Sequence, residues 1–104
     1  MTSGKVISAS ANPETVTRFD DLVDAFCRLR DPNVVASFLQ DLCTGTELDA
    51  MGQRLQVARL VDDGVPYQEI SRRTGASTAT VTRVAQWLHH GEGGYRAVLK
   101  RGRK

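Results

Sequence analysis

Apolar and polar positions along the chain recur at helical spacing, in runs separated by short breaks. Arg18 to Arg30 carries Phe19, Leu22, Val23, Phe26 and Leu29 on one stripe. Asp20, Asp21 and Asp24 lie on its other faces, near the helix N-terminus that favours acids. Asp31-Pro32 ends that helix and starts the next, with Asp as N-cap and Pro at the first helical position. Pro32 to Cys43 then places Val34, Val35, Phe38, Leu39 and Leu42 on one side. After Thr44-Gly45-Thr46, Thr46 with Asp49 forms a capping pair for a third helix, Glu47 to Asp63. Its Leu48, Met51, Leu55, Val57, Ala58, Leu60 and Val61 cover more than one face. Both faces must be buried, in a larger core or against another chain, and the short chain favours a second copy of itself. Met1 to Val16 is polar and aperiodic and reads as a disordered arm, so the expected division is 1–16 arm and 17–104 helical domain.

Two shorter helical patterns meet in Tyr67 to His90 at the turn Thr74-Gly75-Ala76-Ser77. Ile70 falls on the inner face of the first, and Ser71 is small enough for the second helix to approach. Gly75 can take the left-handed backbone that a sharp turn needs. Ser77 is a good N-cap, and Val81, Val84 and Leu88 point back at Ile70. These requirements together describe a helix-turn-helix whose second helix would enter the major groove of DNA. An ordinary helical hairpin in a bundle is the plainer alternative. Gly91-Glu92-Gly93-Gly94 stops the second helix. His89 and His90 sit at its C-terminal end, where positive charge is favoured. Tyr95 to Leu99 forms a short last helix with Tyr95, Val98 and Leu99 able to dock on a core.

Charge sharpens this picture. The net charge is +2. Residues 1–70 hold six Lys and Arg against eleven Asp and Glu, a balance of −5, whereas residues 71–104 hold eight against Glu92, a balance of +7. The basic end coincides with the helix-turn-helix, where Lys and Arg would neutralise phosphates and give salt-dependent affinity. The alternative is a solvated basic tail. The 104 residues suit one small domain that gains from a partner chain. Met1 to Ser10 has no sustained apolar run, so no signal peptide is expected, and no stretch suits a membrane span. Cys27 and Cys43 lack metal-ligand spacing and read most simply as buried thiols in a reducing cytosol, with a disulfide as the alternative. The aspartates of the first helix, without paired ligands, read as a solvated face rather than a metal or acid-base site.

On the recognition helix, Thr78 and Ala79 are the candidates for base-edge contact, an Ala methyl suiting the thymine methyl. Gln68, Arg72, Arg73, Thr80 and Thr82 suit phosphates, which position but do not specify. Ser77 lies in the same first turn. With no Asn and only one Arg, at a less exposed angle, available for bidentate base reading, one copy should bind weakly. Two copies on a symmetric site, about one helical turn apart, would give useful affinity.

LCTGTELDAMGQRLQVARLVDDG followed by YQEISRRTGASTATVTRV resembles the tryptophan repressor superfamily, in its YerC/YecD-like branch. The likeness covers about Asp21 to Leu99 and is most specific in GASTATVTR and GQR. It implies an all-α fold of about six helices, intertwined as a homodimer with the helix-turn-helix projecting from the dimer core. Its recognition-helix positions fall on Thr78, Ala79, Thr80 and Thr82. It also implies an indole-ligand clamp at Arg54 and Arg83, with Thr44 beside the ligand. Two departures stand out. Val84 occupies a glycine position of the family and Trp87 a serine position, and both add bulk where the ligand would sit. Thr44, Arg54, Arg83, Val84 and Trp87 therefore read as a vestigial effector pocket. Val84 and Trp87 are expected to fill core, and the two arginines to face Asp or phosphate.

The leading expectation is a cytoplasmic bacterial transcription regulator, a homodimeric repressor that binds double-stranded DNA at the nucleoid without a cofactor and without tryptophan. The alternative is a helical interaction or dimerisation module whose basic end serves solubility alone. No Ser-His-Asp order, metal cluster or phosphate loop points to an enzyme.

Overall fold

The computed structural model describes residues 12–102. Among them the fold is all-α, with six helices: α1 (Pro13–Cys27), α2 (Pro32–Leu42), α3 (Gly45–Asp62), α4 (Tyr67–Thr74), α5 (Thr78–His90) and α6 (Gly94–Gly102). The chain divides into two compact units, Met1–Gly45 and Thr46–Lys104.

In the first unit, α1 begins earlier than the periodicity predicts. Asn12 caps it, its Oδ1 accepting from Thr15 N–H at 2.8 Å, and Pro13 takes the first helical position. Residues 13–16 are thus the first turn of a helix rather than part of an arm; the rest of the expected arm, residues 1–11, lies outside the described residues. Asn-Pro supplies a side-chain acceptor and a pre-set φ, the same device that starts α2. There Asp31 Oδ1 accepts from Asn33 N–H at 2.9 Å, as expected. The helix also stops earlier, at Cys27. Phe26 and Phe38 meet edge to face, ring centroids 5.1 Å apart. No residue of α1 or α2 is buried; Leu22, Val23, Val34 and Leu42 remain 39–49% exposed. Asp24 pairs with Arg28 at 3.0 Å on the solvated side. Cys27 is exposed and Cys43 half-buried, so neither is the fully buried thiol expected. Position 27 falls beside the apolar stripe rather than within it.

In the second unit, Val57 and Ala58 of α3, Ile70 of α4, Ala76 of the turn, Val81, Val84 and Leu88 of α5 and Leu99 of α6 form one buried core. Leu55, Leu60, Val61, Val65 and Tyr95 pack around it. Helix α3 starts at Gly45, so Thr46 lies inside the helix and is not its cap. Met51, about two turns before Ala58 along α3, is 38% exposed. In α6 Leu99 is buried and Tyr95 packs on the core, but Val98 stays 49% exposed. Val98 lies about 100° around the helix from Leu99 and falls on its outer side. At the end of α5, Gly91 N–H donates to Trp87 C=O at 3.0 Å. A Cβ on Gly91 would collide with that same carbonyl oxygen, which is backbone and cannot step aside.

Candidate nucleic-acid interface

The turn between α4 and α5 is held by its own polar atoms. Gly75 has φ +80° and ψ −1°, left-handed as the sharp turn requires. Gly75 N–H donates to Ser71 C=O at 2.9 Å, and Ser71 Oγ donates to Ala76 C=O at 2.5 Å. The side chain expected only to be small therefore also staples the turn. Thr74 Oγ1 donates to Ile70 C=O at 2.8 Å and accepts from Ala76 N–H at 3.1 Å. From α3, Gln53 Nε2 reaches Thr74 C=O at 3.2 Å. Ile70, fully buried, locks α4 against α5. The two helices are thus fixed relative to each other, as a DNA-reading unit demands.

On α5, Ser77 is the N-cap, accepting from Thr80 N–H at 3.1 Å and donating to Thr80 Oγ1 at 3.1 Å. Ser77 and Thr80 are thereby engaged in capping, and Thr80 is half-buried. Thr78, Ala79 and Thr82 are exposed in the first turns. Val81, Val84, Ala85 and Leu88 form the inward stripe.

Gln68, Arg72 and Arg73 are exposed on α4. The two arginines converge on Glu69, a residue absent from the sequence-based candidates although the spacing of three and four residues announces the contact. Arg72 Nε donates to Glu69 Oε1 at 3.2 Å, its Nη2 bonds Oε2, and Arg73 Nε donates to Oε2 at 2.9 Å. Arg72 first, and then Arg73, holds the Glu69 carboxyl below its ordinary value; the same bond raises Arg72. An acid whose value is lowered on folding keeps its pairing above its unfolded value and loses it as pH falls through the folded one. The triad therefore persists at neutral pH and opens in acid.

The expected effector residues fall in different parts of the chain. Thr44 lies in the first unit, Arg54 is exposed on α3, and Arg83 and Trp87 are one turn apart on the outward side of α5. Neither arginine forms an ion pair among the described residues, so the anticipated aspartate partner is not found. Val84 fills core, 2% exposed. Trp87 does not: it is 36% exposed, because position 87 falls outside the inward stripe of 81, 84, 85 and 88. His89 Nδ1 lies 3.2 Å from Arg96 Nη2, which ties the end of α5 to α6. No cluster of metal-ligating side chains occurs among the described residues, nor a helix long and apolar enough to cross a membrane.

Known proteins resemble this chain in sequence and in fold. Residues 17–103 match the family model described as Trp repressor protein. The "Uncharacterized protein YerC" of Bacillus subtilis is 40% identical over 82 residues, 79% of either chain. A "Trp operon repressor homolog" of Haemophilus influenzae is 43% identical over 54 residues, 51% of this chain and 54% of its own length. Among solved structures, a TrpR-like protein from Eubacterium eligens superposes with a TM-score of 0.76 at 35% identity, covering 82% of this chain and 88% of that one.

Proposed function

Because the chain belongs to the Trp repressor protein family, a family of DNA-binding transcription regulators and not of enzymes, we propose that it is a homodimeric repressor of the bacterial cytoplasm. It reads a two-part site in double-stranded DNA through α4 and α5. The observation that carries this reading is the locked turn. A left-handed Gly75, the Ser71 and Thr74 bonds and the buried Ile70 hold α5 with Thr78 and Ala79 outward. Gln68, Arg72 and Arg73 on α4 and Thr82 on α5 contact phosphates; Ser77 and Thr80 hold the first turn of α5 in shape. In each copy the basic end adds sequence-independent affinity. Replacing Arg73 by Ala should weaken binding alike on all sequences and flatten the salt slope by about one unit. Thr78→Ala should instead reduce discrimination between base pairs at one position. Salt-dependent binding titrations on selected and scrambled duplexes measure both. If neither change alters DNA affinity, α5 is not a recognition helix and the chain is an interaction module.

The same reading includes independence from L-tryptophan. Trp87 supports it, since its ring stands on the α5 face shared with Arg83, where the resemblance would put an indole. Val84 supports it less, because its added volume goes into the core. Calorimetry with L-tryptophan should register no heat of binding, and DNA affinity should be equal with and without it. Micromolar binding or a tryptophan-dependent gain would refute the independence while leaving DNA recognition intact.

A further inference from the structure

The triad on α4 has a chemistry of its own. A guanidinium carries five N–H donors, and its Nε–Nη2 edge is one of the two that match a carboxylate or phosphate side-on. In Arg72 that edge is taken by both oxygens of Glu69. In Arg73 the Nε–H is taken as well. Two cations and one anion leave this corner of α4 with a charge of +1 instead of +2. The pairs stand in solvent, with Arg72 71% and Arg73 49% exposed in their side chains. Their remaining donors are open, and exposed ion pairs of this kind exchange partners at small cost. Glu69 itself is 32% exposed in its side chain, so a phosphate approaching either arginine meets its charge.

We propose that Glu69 is a restraining residue of the DNA contact: its carboxylate holds the donor edges of Arg72 and Arg73 that a DNA phosphate would take, so that binding exchanges one anion for another at these arginines. The inference rests on the DNA-binding reading above. It makes the α4 side of the contact weaker than its two arginines suggest, leaving a larger share of the binding to α5. The direction follows from two opposed effects. Glu69 orders the guanidinium groups, which helps, and repels phosphate while competing for the same N–H groups, which hinders. Ordering of exposed side chains by a surface pair is a small effect, whereas a fixed like charge beside the phosphates acts at every encounter.

The test is Glu69→Gln, which removes the charge but keeps an acceptor and the helix-compatible side chain. Binding of a mixed-sequence duplex of about two helical turns is measured across a salt series. The variant should bind more tightly than the wild type, and its slope of log affinity against log salt should be steeper by about one unit. By that slope the gain is about three- to fourfold larger at about 50 mM than at about 200 mM salt. Arg72→Ala should also cost more affinity when combined with Glu69→Gln than in the wild type, since the freed guanidinium does more in the variant. Thermal melting separates this from a purely structural role, which would shift the midpoint and leave the salt slope alone. Should the variant not fold, the Nε–H resonances of Arg72 and Arg73 in the wild type serve instead. Both should move on titration with the duplex as phosphate replaces carboxylate. A weaker-binding Glu69→Gln chain, an unchanged slope, or Nε–H signals that stay in place while DNA binds would each overturn the inference. A wild type that binds no DNA at any salt would overturn the DNA-binding reading instead.

Discussion

Replacing Ile70 by Ala is expected to unfold the α4–α5 unit at growth temperatures and abolish DNA binding. Ile70 is fully buried and is the only buried residue of α4. A helix of eight residues is too short to persist in water by itself, so its tertiary anchor decides whether it exists. Truncating a buried isoleucine typically costs about 2–5 kcal/mol, the lost transfer term plus that of the cavity. Small domains have only about 5–15 kcal/mol to lose. The side chains around the gap, Val57, Val81 and Val84, are branched and stiff and close over it poorly. The turn would go with the anchor, since Thr74 bonds the carbonyl of Ile70 itself. Circular-dichroism melting should fall by about 10 °C or more. An Ile70→Val chain, one methylene smaller, should lose about 0.5–1.5 kcal/mol and still bind. A full-strength Ile70→Ala chain would mean that α4 is held by something other than its inner face.

Leu22→Asp is expected to convert a dimer into a monomer that melts early. The motive is the state of the first unit. Helices α1 and α2 carry apolar stripes, yet neither buries a single residue, and Leu22, Val23, Val34 and Leu42 stand 39–49% exposed. Single exposed apolar residues are ordinary, but two adjacent helices with stripes only partly covered form the kind of surface that a second copy would cover. The N-terminal half of α3, where Met51 stands 38% exposed, asks for the same cover. In such a dimer folding and pairing are one equilibrium, so the wild-type melting midpoint should rise with protein concentration. A charge placed in the shared face would have to be desolvated without a partner. Sedimentation of the wild type should give two chains and that of Leu22→Asp one, with a midpoint no longer dependent on dilution. A wild type that sediments as one chain at micromolar concentration would remove the dimer from the reading.

Local chemistry is legible along the sequence, and chemistry between elements is not. The turn at Gly75 is written in adjacent residues: a left-handed position, a small neighbour and a capping serine, all present in the structure. The cap at Asp31-Pro32 is equally plain, yet the same signal at Asn12-Pro13 is easily missed because Val16 is the single apolar position between it and Phe19, set among polar residues. Trp87 is expected in the core only through its correspondence with a ligand-facing position; the spacing of Val81, Val84 and Leu88 places it outside their stripe. The Glu69 triad is also readable, since three and four residues on a helix are neighbours. The bond from Gln53 to Thr74 is not. It joins residues 21 apart, and no local rule announces which side chain of α3 reaches the turn.

The stop at Gly91 bears on how such a protein can diverge. No side chain fits there, because the first carbon would strike the carbonyl that ends α5. Gly91 is followed within a few residues by Tyr95 and Leu99, which must reach their places on the core. Lengthening the recognition helix by even one residue would rotate that whole exit by about 100°. Under the proposed DNA-binding function, side chains at Thr78 and Ala79 can be exchanged without disturbing this exit, so base preference could change one position at a time. Lineages descended from this architecture are not free to change the reach of the helix, and insertions and deletions between His90 and Tyr95 should be purged by selection while substitutions at its other end accumulate.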